Sequence, residues 1–182
     1  MSNKRLGWYA IVLHAVLVIF CLLILLLARE NRRLEERLVR AALAAVGGPE
    51  IDDLLPEVPV TELDGIEAVL AFDGQARETV LLVFTTTCPA CQKNLEPWRD
   101  LHRRFGDRYR FVAVGLDPPE ETRRFAEQHD LPYRVVVPAD RSAFQRAYGI
   151  ESVPQTLVVG ADGRVKDVQP GVLPQSYRDR LG

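Results

Sequence analysis

Cys88 and Cys91, with two residues between them, are the part of this sequence best suited to chemistry. Thiols at that spacing close into an intramolecular disulfide, or the second releases a mixed disulfide formed on the first, which is dithiol–disulfide exchange. The first sulfur must then be reachable and must carry negative charge readily. Two plainer readings stand beside this one. A zinc half-site lacks its complement, because no second Cys-x-x-Cys exists and His102 and His129 are not at ligand spacing. A purely structural disulfide is seldom needed by a domain of this size. No metal or cofactor is expected.

The elements around the pair must position it. Val80–Phe84 is a short unbroken apolar run bounded by polar residues, which fits a strand buried on both faces. After it, Leu95, Trp98, Leu101 and Phe105 recur at helical spacing, with Pro89 where a first-turn proline is tolerated. Cys88 thus stands at a strand-to-helix junction, where unpaired N–H groups and the positive end of the helix dipole favour a thiolate over a thiol. Pro154, following Val153 at the start of another strand, has two readings: an ordinary edge proline, or a cis bond that exposes backbone to an extended substrate chain.

The 182 residues allow one ordinary domain plus appendages, and a net charge of −2 argues against a nucleic-acid binder. From Trp8 to Ala28 runs an apolar segment of about 21 residues, long enough to cross a bilayer core as a helix. It exceeds a typical signal-peptide core and lacks a small residue for cleavage after Ala28, so residues 1–28 are expected to be an uncleaved anchor. Cys21 and His14 read as a further apolar residue and a tolerated neutral imidazole within it. Basic residues flank both ends, so charge alone does not orient the span.

Residues 29–57 read as a juxtamembrane helix and a linker. Arg29–Ala45 carries an apolar stripe through Leu34, Leu38 and Ala45, able to pair with a second copy or simply to lie in solvent. Gly47-Gly48-Pro49 ends the helix, and Glu50–Pro59 has linker composition. From Val58 the pattern predicts strands at 58–63 and 68–72, then alternation: strand 80–84, helix 89–105, strand 110–116, helix 118–129, strand 134–137, helix 141–148. Strands at 155–159 and 165–168 follow, joined by an Asp162-Gly163 turn, and a helix over 173–181 closes the chain. This is an α/β domain with a mixed sheet, parallel around the cysteine strand and antiparallel in its terminal hairpin.

The motif Cys88-Pro89-Ala90-Cys91 after an apolar strand, together with Gly149-Ile150-Glu151-Ser152-Val153-Pro154-Gln155-Thr156-Leu157 and Asp162-Gly163, resembles the thioredoxin superfamily. The likeness is greatest to its membrane-anchored TlpA-like disulfide reductases and their redoxin relatives, and covers Val58–Gly182. It implies a thioredoxin-like fold with Cys88 as nucleophile, Cys91 as resolving cysteine and Pro154 as a cis-proline facing them. Thr87, Pro89 and Val153 join Pro154 as candidate substrate contacts. The resemblance further implies cysteine-containing protein substrates, a membrane thiol-reductant donor, and a domain on the periplasmic side of the cytoplasmic membrane.

The chain departs from that pattern at four positions. Thr87 replaces an aromatic before the first cysteine, Leu82 a buried acid, and Asn94 a glutamate, while the helix proline falls one place late at Pro97. Without the acid, Cys91 must lose its proton to water or to a substrate group. Two alternative functions remain open: a peroxiredoxin-like thiol peroxidase, favoured by Thr85 three residues before Cys88 but lacking a proline at Leu81, and a non-catalytic thioredoxin-like binding module, which has no chemical need of two cysteines.

Overall fold

The computed structural model describes residues 17, 20–24, 26–30, 48–72 and 77–180. The chain divides into two compact units, Met1–Ala45 and Val46–Gly182. In the first, residues 20–24 and 26–30 are helical. Most of the expected span Trp8–Ala28 and nearly all of the expected juxtamembrane helix Arg29–Ala45 lie outside the described residues, as do residues 73–76 between the expected strands 68–72 and 80–84. Among the described residues no helix is long and apolar enough to cross a membrane.

The second unit holds one seven-stranded sheet. Its strands are β1 Val58–Glu62, β2 Glu67–Leu70, β3 Thr79–Phe84, β4 Arg110–Gly115, β5 Arg134–Pro138, β6 Gln155–Val159 and β7 Val165–Pro170. Its helices are α1 Pro89–Phe105, α2 Pro119–Gln128, α3 Arg141–Ala147 and α4 Gln175–Arg180. The strands lie in the order β2-β1-β5-β4-β3-β6-β7.

All six residues of β3 are buried, as an unbroken apolar strand requires when helices cover both faces. Alternation divides them. Val80, Leu82 and Phe84 join the core under α1, with Leu95, Trp98, Leu101, Phe111 and Phe125. Leu81 and Val83 join the opposite core, with Val112, Val114, Phe144, Tyr148 and Leu157. β3, β4 and β5 run parallel, linked by α1 and α2. α2 sits so close on β4 that a Cβ at Gly115 would stand 2.4 Å from the Thr122 methyl. α3 then carries the chain across the other face, and β6 enters antiparallel beside β3, with β7 as its hairpin partner.

The expected helix 89–105 and strand 155–159 match the observed elements residue for residue, and the other boundaries agree closely. Two features extend the sequence picture. β1 pairs antiparallel with β5, so the 58–70 hairpin completes the main sheet. The stretch before Val58, expected to be linker, lies on the second unit: Leu55 is in the core, the Asp52 N–H donates to the Val165 carbonyl at 2.8 Å, and Leu54 bridges Arg164. Pro49 is buried as well, its nitrogen 3.0 Å from where a Cβ on Gly149 would stand, while Gly149 itself has a φ of +60°. That left-handed geometry and lack of space both favour glycine after α3.

Candidate active site

β3 ends at Phe84, and the next four residues turn the chain into α1, whose N-cap is Cys88. Asp117, just past the end of the parallel neighbour β4, accepts a hydrogen bond from the Thr86 N–H at 2.5 Å and so fixes the loop carrying the first cysteine. Nothing in the sequence singled out Asp117; a signal was available, since parallel strands bring their following loops to the same edge of the sheet.

The Cys88 sulfur is half-exposed and accepts from the Cys91 N–H at 3.2 Å, as an N-cap oxygen would. A negative charge at this atom therefore has a backbone donor already aimed at it. On its other side, the Val153 carbonyl lies 3.8 Å away. The Val153–Pro154 peptide bond is cis. Cys88, Cys91, Val153 and Pro154, all expected at the site, are thus brought together, while Thr87 and Pro89 are exposed next to Cys88.

Cys91 is fully buried. Leu82, which stands where the resemblance leads one to expect an acid, is in the same apolar cluster. Burial pushes the Cys91 thiol up to about 12, reinforced by its hydrogen bond to Cys88 and by charge on Cys88, and opposed by a contact with the Thr85 backbone. One sulfur is therefore presented to solvent while the other is held protonated behind it. The two cysteines are not bonded to each other.

Further along α1, polar groups reach the sheet. The Trp98 indole N–H donates to the Thr156 hydroxyl at 2.9 Å, two residues past the cis-proline. Asn94, where related sequences are expected to carry glutamate, is fully buried and bonds to the segment after β7. Pro97 interrupts the helix ladder, leaving the Lys93 carbonyl without its usual donor. Among the described residues no group of His, Cys, Asp and Glu is arranged to hold a metal ion.

Residues 51–168 match the model of the AhpC/TSA family, nearly the whole stretch from the segment strapped onto β7 through the site to β7 itself. The chain belongs to the AhpC/TSA family. Within it, this member is 27% identical over 121 residues to the methylamine utilization protein MauD of Paracoccus denitrificans, covering 65% of this chain and 58% of that one. It is 26% identical over 124 residues to the thiol-disulfide oxidoreductase ResA of Halalkalibacterium halodurans, covering 66% and 64%. The chain thus spans somewhat less than two thirds of these relatives' own length. The thioredoxin domain of a thiol-disulfide oxidoreductase from Bacteroides vulgatus superposes with a TM-score of 0.64 at 16% identity, over 72% of this chain and 95% of that one. The AhpC/TSA domain here therefore has a thioredoxin-like fold, with the two cysteines at the start of the helix that follows β3.

Proposed function

We propose that this chain is a membrane-tethered thiol–disulfide oxidoreductase that reduces disulfides of extracytoplasmic proteins. The observation that carries this reading is the unequal pair: a half-exposed Cys88 sulfur receiving the Cys91 N–H, and a buried, protonated Cys91 behind it. The Cys88 thiolate attacks one sulfur of a substrate disulfide; a Cys88–substrate disulfide forms, and the other substrate sulfur leaves as a thiolate.

Bonding Cys88 to a substrate sulfur removes its charge. Charge on Cys88 and its hydrogen bond are two of the causes that hold the Cys91 proton in place, so that proton is released more easily in the mixed disulfide than in the free dithiol. The departing substrate thiolate is a base at hand for it. The Cys91 thiolate then attacks the Cys88 sulfur, the second substrate thiol leaves, and the chain holds a Cys88–Cys91 disulfide. A dithiol donor of the membrane returns the two electrons. The backbone at Val153 and Pro154 holds the substrate chain near Cys88, with Thr87 and Pro89 as exposed neighbours.

Tethering rests on the uncharged run Trp8–Ala28, and the periplasmic side on the persistence of substrate disulfides in an oxidising compartment. The dithiol full-length chain in detergent is expected to reduce insulin disulfides, to lose this activity with Cys88→Ser, and to accumulate mixed disulfides as Cys91→Ala. Insulin reduction that survives Cys88→Ser overturns the reading. In spheroplasts, Cys88 should react with a membrane-impermeant maleimide; protection until lysis rules out the assigned side.

A further inference from the structure

Asn94 stands one turn beyond Cys91 on α1 and has no exposed surface. A buried amide is costly unless both its ends are bonded, and here both are. Its Nδ2 donates to the Gly171 carbonyl at 3.0 Å, and its Oδ1 accepts from the Leu173 N–H at 2.7 Å. Gly171 in turn donates its own N–H to the Pro154 carbonyl at 2.8 Å. One side chain and one loop residue therefore join the redox helix to the peptide segment whose Val153 carbonyl lies 3.8 Å from the Cys88 sulfur. Gly171 has a φ of +73° and nothing within 4 Å of where a Cβ would sit. At that residue the loop has no side-chain packing of its own, so the Asn94 bond fastens it.

We infer that Asn94 is a positioning residue: through Gly171 it sets where the Val153–Pro154 backbone lies relative to Cys88, and so governs how a protein disulfide, as opposed to a small one, is received. This rests on the redox reading above. The position demands an amide, because it needs one donor and one acceptor at fixed places. A carboxylate has two acceptors and would set one of them against the Gly171 carbonyl; once protonated, it recovers a donor. The departure from glutamate at this position thus has a physical reason in the two backbone groups it must meet.

The test uses the full-length chain with two oxidants, insulin and dithiobis(nitrobenzoate). At about pH 8, Asn94→Asp should reduce insulin about tenfold more slowly, with most of the change in KM, the loss expected from one displaced hydrogen bond. Its rate with the small disulfide should stay within about twofold of the unsubstituted chain, since that reagent needs no backbone pairing. Because burial at this position raises the pKa of the introduced carboxyl, the insulin defect, compared with the unsubstituted chain at the same pH, should shrink as pH falls toward about 5. Asn94→Leu should show the insulin defect at both pH values. Equal slowing toward both disulfides, an unchanged insulin rate, or a defect in Asn94→Asp that does not shrink on acidification would overturn the inference.

Should neither variant fold, amide exchange in the unsubstituted chain still decides. The Leu173 N–H should exchange as slowly as the core of α1, and exchange at the rate of an open loop sinks the proposal. Failure of the redox reading shows separately, as an unsubstituted chain that does not reduce insulin at all.

Discussion

The face of the sheet under α1 and the face under α3 are both filled with buried apolar side chains, yet they are fastened differently. Under α1, the Trp98 indole reaches Thr156 and the Asn94 amide reaches Gly171 and Leu173, so buried polar groups tie the cysteine helix to β6 just after Pro154 and to the loop that bonds to the Pro154 carbonyl. Under α3, the Tyr148 hydroxyl donates at 2.8 Å to the carbonyl of Pro56, an exposed residue in the segment before β1. Apolar packing alone tolerates small slides of one element over another, whereas directional bonds do not. The difference teaches that packing holds the fold on both faces, while on the redox face directional bonds also tie the cysteine helix to the segments beside Cys88.

The comparison can be broken most forcefully at Trp98. Trp98→Ala should cost about 3–5 kcal/mol of stability, the usual price of emptying a large buried site. Trp98→Phe keeps most of the packing but loses the bond to Thr156, and should slow insulin reduction more than its modest loss of stability accounts for. Urea unfolding read beside the insulin rate checks both variants.

A second, smaller effect sharpens the contrast between the two sulfurs. Iodoacetamide at about pH 8 should modify Cys88 first, with Cys91 about a thousandfold slower than a free cysteine and its rate rising about tenfold per pH unit. Peptide mass spectrometry at several pH values gives both rates. The same elevated thiol fixes a sign for stability. The folded dithiol keeps a proton that the unfolded chain gives up near 9.0, so stability present below that pH is lost as pH rises from 9.0 toward about 12. The disulfide form has no such proton and should decline less over this range, keeping only the loss from its buried tyrosines. Urea midpoints of the two forms at about pH 8 and pH 10 test it.

The smallest effect belongs to the other face. Tyr148→Phe should cost about 1 kcal/mol, since the Pro56 carbonyl can turn to water, and should leave the redox rate unchanged. A slowed insulin rate there would erase the distinction between the faces.

Much of this was legible in the sequence, for particular reasons. The helix 89–105 and strand 155–159 were readable to the residue because Pro89 and Pro154 punctuate their starts and the apolar spacing behind each is regular. The cysteine pair was readable because cysteines are few and these two stand close together, whereas the cis form of Pro154 was legible only through the family resemblance, an edge proline being equally open from the residues alone. The pairing of β1 with β5 was not, since it joins strands more than seventy residues apart and neither hairpin nor crossover geometry dictates it. Nor was the packing of Pro49 and Leu55, whose neighbourhood of acids and prolines has the composition of a solvated strap. Asn94 was visible only as a departure from a pattern; its meaning depends on two backbone groups that the fold delivers from nearly eighty positions downstream.

The two rims of the sheet carry a last consequence. One is the four-residue β2; the other is β7, which ends in Pro170 and lies beside an irregular step in the ladder at Val158 and Val159. A short rim and a rim whose final residue has no N–H give a stray extended chain few rungs to zip onto. A second copy of the domain is thereby discouraged from extending the sheet edge to edge.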